Sequence, residues 1–155
     1  MANHGTRKLG MITGILMLLL LFIGAIENFD TYILQLPTSG TTSLRFYVWG
    51  YFNGANYINM FTLQWPECLI TWFTTVFFMA SAGMTIAAST RGSIPTNSKR
   101  MFAISSVFLI IHMSVYLLIL FLSSYATVFY LFLGPGFWAL VIFTVLNFIS
   151  LAKVQ

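Results

Sequence analysis

His112 is the residue of this sequence with the most chemical potential, because it lies in the middle of a long uncharged apolar run. An ionisable side chain inside such a run indicates a functional site by default. Its imidazole could ligate a haem, a metal or a quinone. A b-type haem between helices usually takes two axial ligands, and the other histidine, His4, lies near the N-terminus. We favour the structural alternative, a neutral histidine that bonds a neighbouring helix.

The carboxylates and the single cysteine suggest little further chemistry. Glu67 follows Pro66 at the start of an apolar run, which is a normal helix opening, although an ion or proton site is the alternative. Glu27 and Asp30 stand where another run ends, and a cation site there is disfavoured. Cys68 alone cannot form an internal disulfide, a cysteine-based zinc site or an iron–sulfur cluster. We therefore expect no enzymatic activity, no resident cofactor and no metal.

The composition bounds the class of protein. Of 155 residues, 59% are hydrophobic and 6% are charged, against about 25% charged residues in an ordinary soluble domain. That excludes a soluble enzyme and a disordered tail. Seven Lys/Arg against three Asp/Glu is too small an excess for a nucleic-acid-binding surface. The expected partners are the lipid bilayer and other membrane-protein chains.

Four apolar runs without interior charges divide the chain. Each is about long enough to cross a hydrocarbon core of about 30 Å, and backbone in lipid must form helix. The first run is interpreted as a retained helix and not as a cleaved signal peptide, because Ile23 is too large for the cleavage motif. The sequence thus predicts an all-α integral membrane protein, a four-transmembrane-helix bundle forming one domain over residues 1–155. The predicted helices occupy residues 9–26, 68–88, 101–122 and 136–152.

The basic residues predict the orientation. Six of the seven precede the first run, lie between the second and third, or follow the fourth, and Arg45 is the exception. The positive-inside rule places such segments in the cytoplasm. We expect a plasma-membrane protein with both termini and the inner loop, residues 89–100, in the cytoplasm. All three acids fall on the outer side.

The first outer loop, residues 27–66, is predicted to form a small antiparallel sheet. Asn53-Gly54 is a strong hairpin signal between runs rich in β-branched and aromatic residues. These β-like runs are residues 31–36, 42–52 and 57–63. The second outer loop, residues 123–135, is short and could add one strand.

Alternation along the central run predicts two faces. One face carries Leu44, Phe46, Val48 and Phe52, and the other carries Arg45, Tyr47, Trp49 and Tyr51. Two interpretations remain open for the aromatic residues of this loop, which are Tyr47, Trp49, Tyr51, Tyr57 and Trp65. They form an interfacial belt and the sheet's own core, or they form a contact surface for a neighbour, and that surface would include Arg45.

Small and polar residues within the runs predict helix contacts. Gly10 and Gly14 open the first run, and Ala80, Gly83 and Ala87 form a small stripe on the second, so that helix backbones can approach closely. We favour packing inside the bundle over lateral contact with another chain, which stays the alternative. Polar side chains in the third and fourth runs could hydrogen-bond across the bundle. These are Ser105, Ser106, Ser114 and Asn147.

The predicted plan resembles that of the claudin-like tetraspan proteins, which include peripheral-myelin-type and fungal cortical-patch relatives. Val48-Trp49-Gly50-Tyr51 stands before the hairpin, roughly where that family carries a Gly/Trp motif. The family's two loop cysteines are missing here, since Cys68 lies at the entry of the second run. The resemblance implies a non-enzymatic protein that organises membranes or contacts neighbours through its outer sheet.

These observations predict a structural or accessory subunit that acts in assembly, with contacts made by its helices and its outer loop. The alternative is a subunit of a membrane redox or transport complex that uses His112. A stand-alone transporter is less favoured, because the runs lack intramembrane carboxylates and a clearly broken helix pair.

Overall fold

The computed structural model describes residues 4–23, 31–37, 43–48, 50–53, 56–59, 67–90, 94–123 and 131–154. These stretches form four helices and a four-stranded sheet. The helices are α1 (His4–Ile23), α2 (Glu67–Ser89), α3 (Pro95–Leu122) and α4 (Pro135–Lys153). The strands are β1 (Leu34–Pro37), β2 (Ser43–Tyr47), β3 (Gly50–Asn53) and β4 (Asn56–Asn59).

Three helices of the described chain, α2, α3 and α4, are long and apolar enough to cross a membrane. This is the make-up of a membrane-embedded protein, but the predicted bundle of four transmembrane helices is wrong. Arg7 and Lys8 lie inside α1, and about 15 residues remain before its end at Ile23. At about 1.5 Å per residue they cover about 22 Å, less than a hydrocarbon core of about 30 Å. The last residues of the predicted run, 24–26, lie outside the described residues.

The four helices pack as a closed bundle, in which α1 and α3 each lie against both α2 and α4. Each helix contributes a fully buried apolar side chain to one continuous core: Met17, Phe78, Leu109 and Leu140. Each helix also exposes large apolar side chains on its outer face, among them Leu19, Trp72, Ile110 and Ile142. Such an apolar exterior suits lipid and not water.

The helix bounds extend beyond the apolar runs at the polar ends. α2 agrees with the prediction to within one residue at each end. α3 begins at Pro95 and not at residue 101, so a proline stands in its first turn. Proline is favoured in that turn because its missing N–H needs no intrahelical partner. Most of the predicted inner loop, residues 89–100, is therefore helix, since apolar patterning marks the lipid-facing segment and not the helix end.

The sheet is an antiparallel meander in the order β1-β2-β3-β4. Asn53 pairs with Asn56, so that residues 54–55 connect β3 to β4 where the Asn-Gly pair predicted a hairpin. The predicted runs 31–36 and 57–63 correspond to β1 and β4, and residues 60–63 lie outside the described residues. The small antiparallel sheet of the prediction is thus present.

The predicted sheet faces are wrong for two residues. The register pairs Phe46 with Tyr51, and Arg45 with Phe52. Residues directly opposite in an antiparallel pair share a face, so Tyr51 lies on the face of Phe46, and Phe52 lies on the face of Arg45. The chain reverses direction between β2 and β3, where the prediction assumed one continuous strand. The alternation of side chains between the two sheet faces therefore starts anew in β3.

The sheet rests on one end of the bundle. Leu34, Phe46 and Tyr51, which share one sheet face, belong to the same buried cluster as the core residues of the helices. The segment before α4 extends the sheet, because Leu133 forms an antiparallel bridge with Leu34. The short second outer loop therefore does contribute a strand-like pairing.

Candidate functional site

His112 lies fully buried on α3, on the side of that helix that contacts α2. Its Nδ1 is 2.8 Å from the main-chain carbonyl oxygen of Thr74. Because a carbonyl oxygen only accepts hydrogen bonds, Nδ1 carries the proton and donates. Nε2 is buried and has no hydrogen-bond partner among the described residues. The rings of Phe78 and Tyr116 flank the imidazole, with centroids 5.4 and 5.2 Å away.

Among the described atoms around His112, Nε2 is the one that is free to bind a ligand. In a neutral imidazole this nitrogen is a hydrogen-bond acceptor and the usual ligand atom for a metal or a haem. A buried acceptor without a partner costs about 1–3 kcal/mol. His112 therefore satisfies the expected bond to a neighbouring helix with one nitrogen and keeps the other available.

Two side chains of the bundle hold the end of β2. The hydroxyl group of Tyr116 donates to the carbonyl oxygen of Tyr47 over 2.9 Å. The hydroxyl group of Thr75 donates to the next carbonyl oxygen, that of Val48, over 3.2 Å. One bond comes from α3 and the other from α2, so both helices are attached to the same corner of the sheet.

The segment before α4 and the first turn of α4 make a third attachment through main-chain hydrogen bonds. The amide of Gly134 donates to Ile33 over 2.9 Å, and the amide of Gly136 donates to Tyr32 over 3.0 Å. Gln35 donates to Phe132 over 2.9 Å. A Cβ atom at Gly134 would collide with the carbonyl oxygen of Tyr32, which explains why a residue without a side chain stands there.

A second polar cluster joins α2, α3 and α4 in the other half of the bundle. The hydroxyl oxygens of Ser81 and Ser105 are 2.7 Å apart, as are those of Thr85 and Ser105. The amide nitrogen of Asn147 donates to Ser105 over 2.8 Å and to Thr85 over 3.1 Å. All four side chains are buried. Their polar atoms satisfy one another, which is the condition for placing them in an apolar core.

The predicted polar contacts divide into two groups. Asn147 and Ser105 bond across the bundle, as the sequence suggested. Ser106 bonds the carbonyl oxygen of Phe102, and Ser114 bonds that of Ile110, each within α3. Ser81 and Thr85, the partners of Ser105 and Asn147, were not predicted from the sequence, and neither were Thr75 and Tyr116. One face of α2 carries a hydroxyl residue or Phe78 at every third or fourth position from Thr71 to Ser89, and this pattern was the available signal.

The four small residues predicted to make contacts lie on different sides of their helices. A Cβ atom at Gly10 would collide with Ser89, and one at Gly14 would collide with Ile86, so both glycines belong to the α1–α2 contact. Gly83 and Ala87 are exposed, and no atom lies within 4 Å of a Cβ built at Gly83. These two residues therefore face away from the bundle.

The predicted contact surface on the sheet is partly covered. Tyr47 and Tyr51 are each 8% exposed, and the Tyr47 ring packs edge-on against Phe52, with centroids 5.7 Å apart. Arg45 is half-buried, and its guanidinium carbon lies 5.9 Å from the centroid of the Tyr32 ring. Trp49 lies outside the described residues.

No cluster of three or more potential metal ligands occurs within the described ranges. Cys68 is a buried free thiol, and Glu27 and Asp30 lie outside those ranges. No protein-family model, curated protein or solved structure matches this chain. The resemblance to the claudin-like family stays a prediction.

Proposed function

We propose that this protein is a non-catalytic, membrane-embedded structural or accessory subunit that assembles with other membrane-protein chains. The arrangement of α2 carries the proposal. One side of α2 is joined to its own chain, by packing on α1 and by hydrogen bonds to α3, α4 and the sheet. The opposite side presents Gly83 and Ala87 outward, where a partner helix could approach closely.

The buried polar side chains support a structural role. Ser81, Thr85, Ser105 and Asn147 bond one another across three helices. Thr75 and Tyr116 attach the sheet to the bundle. In both groups the polar atoms bond other parts of the same fold. This favours a rigid bundle that carries the sheet at one end.

We further propose that the end opposite the sheet faces the cytoplasm of a plasma-membrane protein. The start of α1, the start of α3 and the end of α4 carry the described basic residues other than Arg45. An excess of Lys/Arg marks cytoplasmic segments. The N-terminal part of α1 and the C-terminal part of α4 then lie on the cytoplasmic side, and the sheet lies outside.

The test is gentle extraction from native membranes, followed by size-exclusion chromatography and mass spectrometry of the co-eluting chains. An assembly, either of several copies or with other membrane proteins, is the expected result. A lone monomer in mild detergent with no co-purifying chain would remove the support for an assembly role.

A subunit of a membrane redox or transport complex is the second candidate, because Nε2 of His112 is buried and without a partner among the described residues. The same preparation tests it. This candidate predicts a Soret band or a bound quinone that is lost in His112→Ala. A colourless, quinone-free native preparation would exclude the redox role.

A further inference from the structure

The bundle end opposite the sheet closes in one packed layer. Ala88, Phe102 and Val154 form a buried apolar cluster that joins α2, α3 and the end of α4. α1 reaches the same layer, because a Cβ atom at Gly10 would come within 2.7 Å of the Phe102 ring. Four helices thus meet at one level, although they contribute residues from distant parts of the sequence.

Five cations border this layer: four lie outside it at the starts of α1 and α3, and Lys153 lies at its level at the end of α4. Arg7 and Lys8 precede Gly10, Lys99 and Arg100 precede Phe102, and Lys153 precedes Val154. We call these five residues the basic collar. Its lysines and Arg100 are exposed. The Nε atom of Arg7 is buried and has no hydrogen-bond partner within the described part of the chain.

The acidic residues are far from the collar along the chain. Glu67 begins α2, and the other end of α2 lies in the packed layer. Glu27 and Asp30, which lie outside the described ranges, stand in the sequence between the other end of α1 and the sheet. No Asp or Glu occurs in the sequence segments that carry the collar. Within these described helix segments, no carboxylate side chain balances the positive charge of the collar.

The collar lies at the depth of lipid headgroups. From Met101 to Leu122, α3 has 22 uncharged residues, which cover about 33 Å at about 1.5 Å per residue, close to the hydrocarbon thickness. Lys99 and Arg100 come immediately before this stretch. Long basic side chains at such a position reach the lipid phosphates while their stems stay in apolar surroundings.

We propose that the basic collar binds the headgroups of anionic phospholipids. Net negative headgroups complement five cations whose described helix segments carry no Asp or Glu, and a guanidinium group bonds phosphate oxygens with favourable geometry. The preference is for negatively charged lipids over zwitterionic ones, in the leaflet that contacts the collar. This inference does not depend on the proposed assembly role.

The experiment measures lipid selectivity of the full chain in bilayers of phosphatidylcholine and phosphatidylglycerol, with spin-labelled analogues of each lipid. Selectivity is the ratio of the motionally restricted fractions of the two labels. We expect phosphatidylglycerol to be enriched about threefold or more at low salt. The enrichment should fall at 0.5 M NaCl, because salt screens exposed charges.

Matched variants locate the effect. Arg100→Gln should lower the enrichment, and replacing Lys8, Lys99, Arg100 and Lys153 together by Gln should abolish it. Arg45→Gln makes the same chemical change at the sheet end and should leave the enrichment unaltered. An absent enrichment, or an equal loss in Arg100→Gln and Arg45→Gln, would overturn the proposal. If inorganic phosphate bound to the collar but the bilayer showed no preference for phosphatidylglycerol, the proposal would be overturned too.

Discussion

The hydroxyl group of Tyr116 donates a hydrogen bond of 2.9 Å to the main-chain carbonyl oxygen of Tyr47, and this bond ties α3 to the sheet. One helical turn away, His112 donates to the carbonyl oxygen of Thr74 on α2. The same face of α3 thus holds two different elements. Together with Thr75 and the main-chain bonds before α4, these contacts make the sheet a fixed part of the bundle.

Tyr116→Phe should lower the free energy of unfolding by about 1 kcal/mol, because it removes one buried hydrogen bond while the ring stays in place. The measurement is a denaturant titration of the protein in bicelles. Ser114→Ala is the control, since that hydroxyl group is exposed and bonds within its own helix. A loss in the control equal to that in Tyr116→Phe would contradict the attachment of the sheet by Tyr116.

Asn147→Ala should destabilise the bundle by about 1 kcal/mol or more. The change removes the bonds to Ser105 and Thr85, and interhelical bonds in membranes contribute about 0.6 kcal/mol on average and up to about 1.7 kcal/mol. The same titration measures it. Ser106→Ala serves as the control, because its hydroxyl group bonds only within α3 among the described contacts. An unchanged Asn147→Ala protein would contradict the role of the polar cluster.

Gly14→Ala should destabilise the protein, whereas Gly83→Ala should not. A methyl group at Gly14 meets Ile86, so that α1 and α2 must separate, at a cost of about 1–3 kcal/mol. A methyl group at Gly83 meets no atom within 4 Å and should leave stability unchanged or slightly higher. Equal stability of the two variants would show that α1 does not pack on α2 as described.

Gly134→Ala should loosen the edge of the sheet beside β1. The methyl group would displace the carbonyl oxygen of Tyr32, which also accepts the bond from Gly136. The amide of Gln35, which bonds Phe132 across this edge, should then exchange with solvent faster. Hydrogen exchange read by mass spectrometry measures the change. Unaltered protection of Gln35 would contradict the pairing.

Much of the fold follows from patterning in the sequence. The second apolar run predicted each end of α2 to within one residue, and Asn53-Gly54 predicted the hairpin between β3 and β4. The prediction that α1 spans a membrane was wrong, because an apolar run alone does not show how many of its residues form helix. The faces of Tyr51 and Phe52 were missed because the reversal between β2 and β3 has no Gly-containing pair at its centre to signal it.

The contacts of the candidate site were harder to predict from the sequence than the helices and strands. His112 stands out as an ionisable residue in an apolar run, but its partner is a main-chain carbonyl group, and these are present at every position. Tyr116 and Thr75 look like ordinary lipid-compatible residues until the sheet is placed against them. Likewise, the spacing of Gly83 and Ala87 predicts a close contact, whereas only the packing reveals that this face of α2 points outward.

The proposed assembly role requires that the outward face of α2 contact other chains. We would measure the mass of the protein, without its detergent, by light scattering during size-exclusion chromatography after mild extraction. The wild-type chain should elute as an assembly heavier than its own 17.5 kDa. Gly83→Leu should reduce that mass, while Ala152→Leu, which places the same side chain at an exposed position on α4, should not. A wild-type mass of one chain, or an assembly that survives Gly83→Leu intact, would contradict assembly through this face of α2.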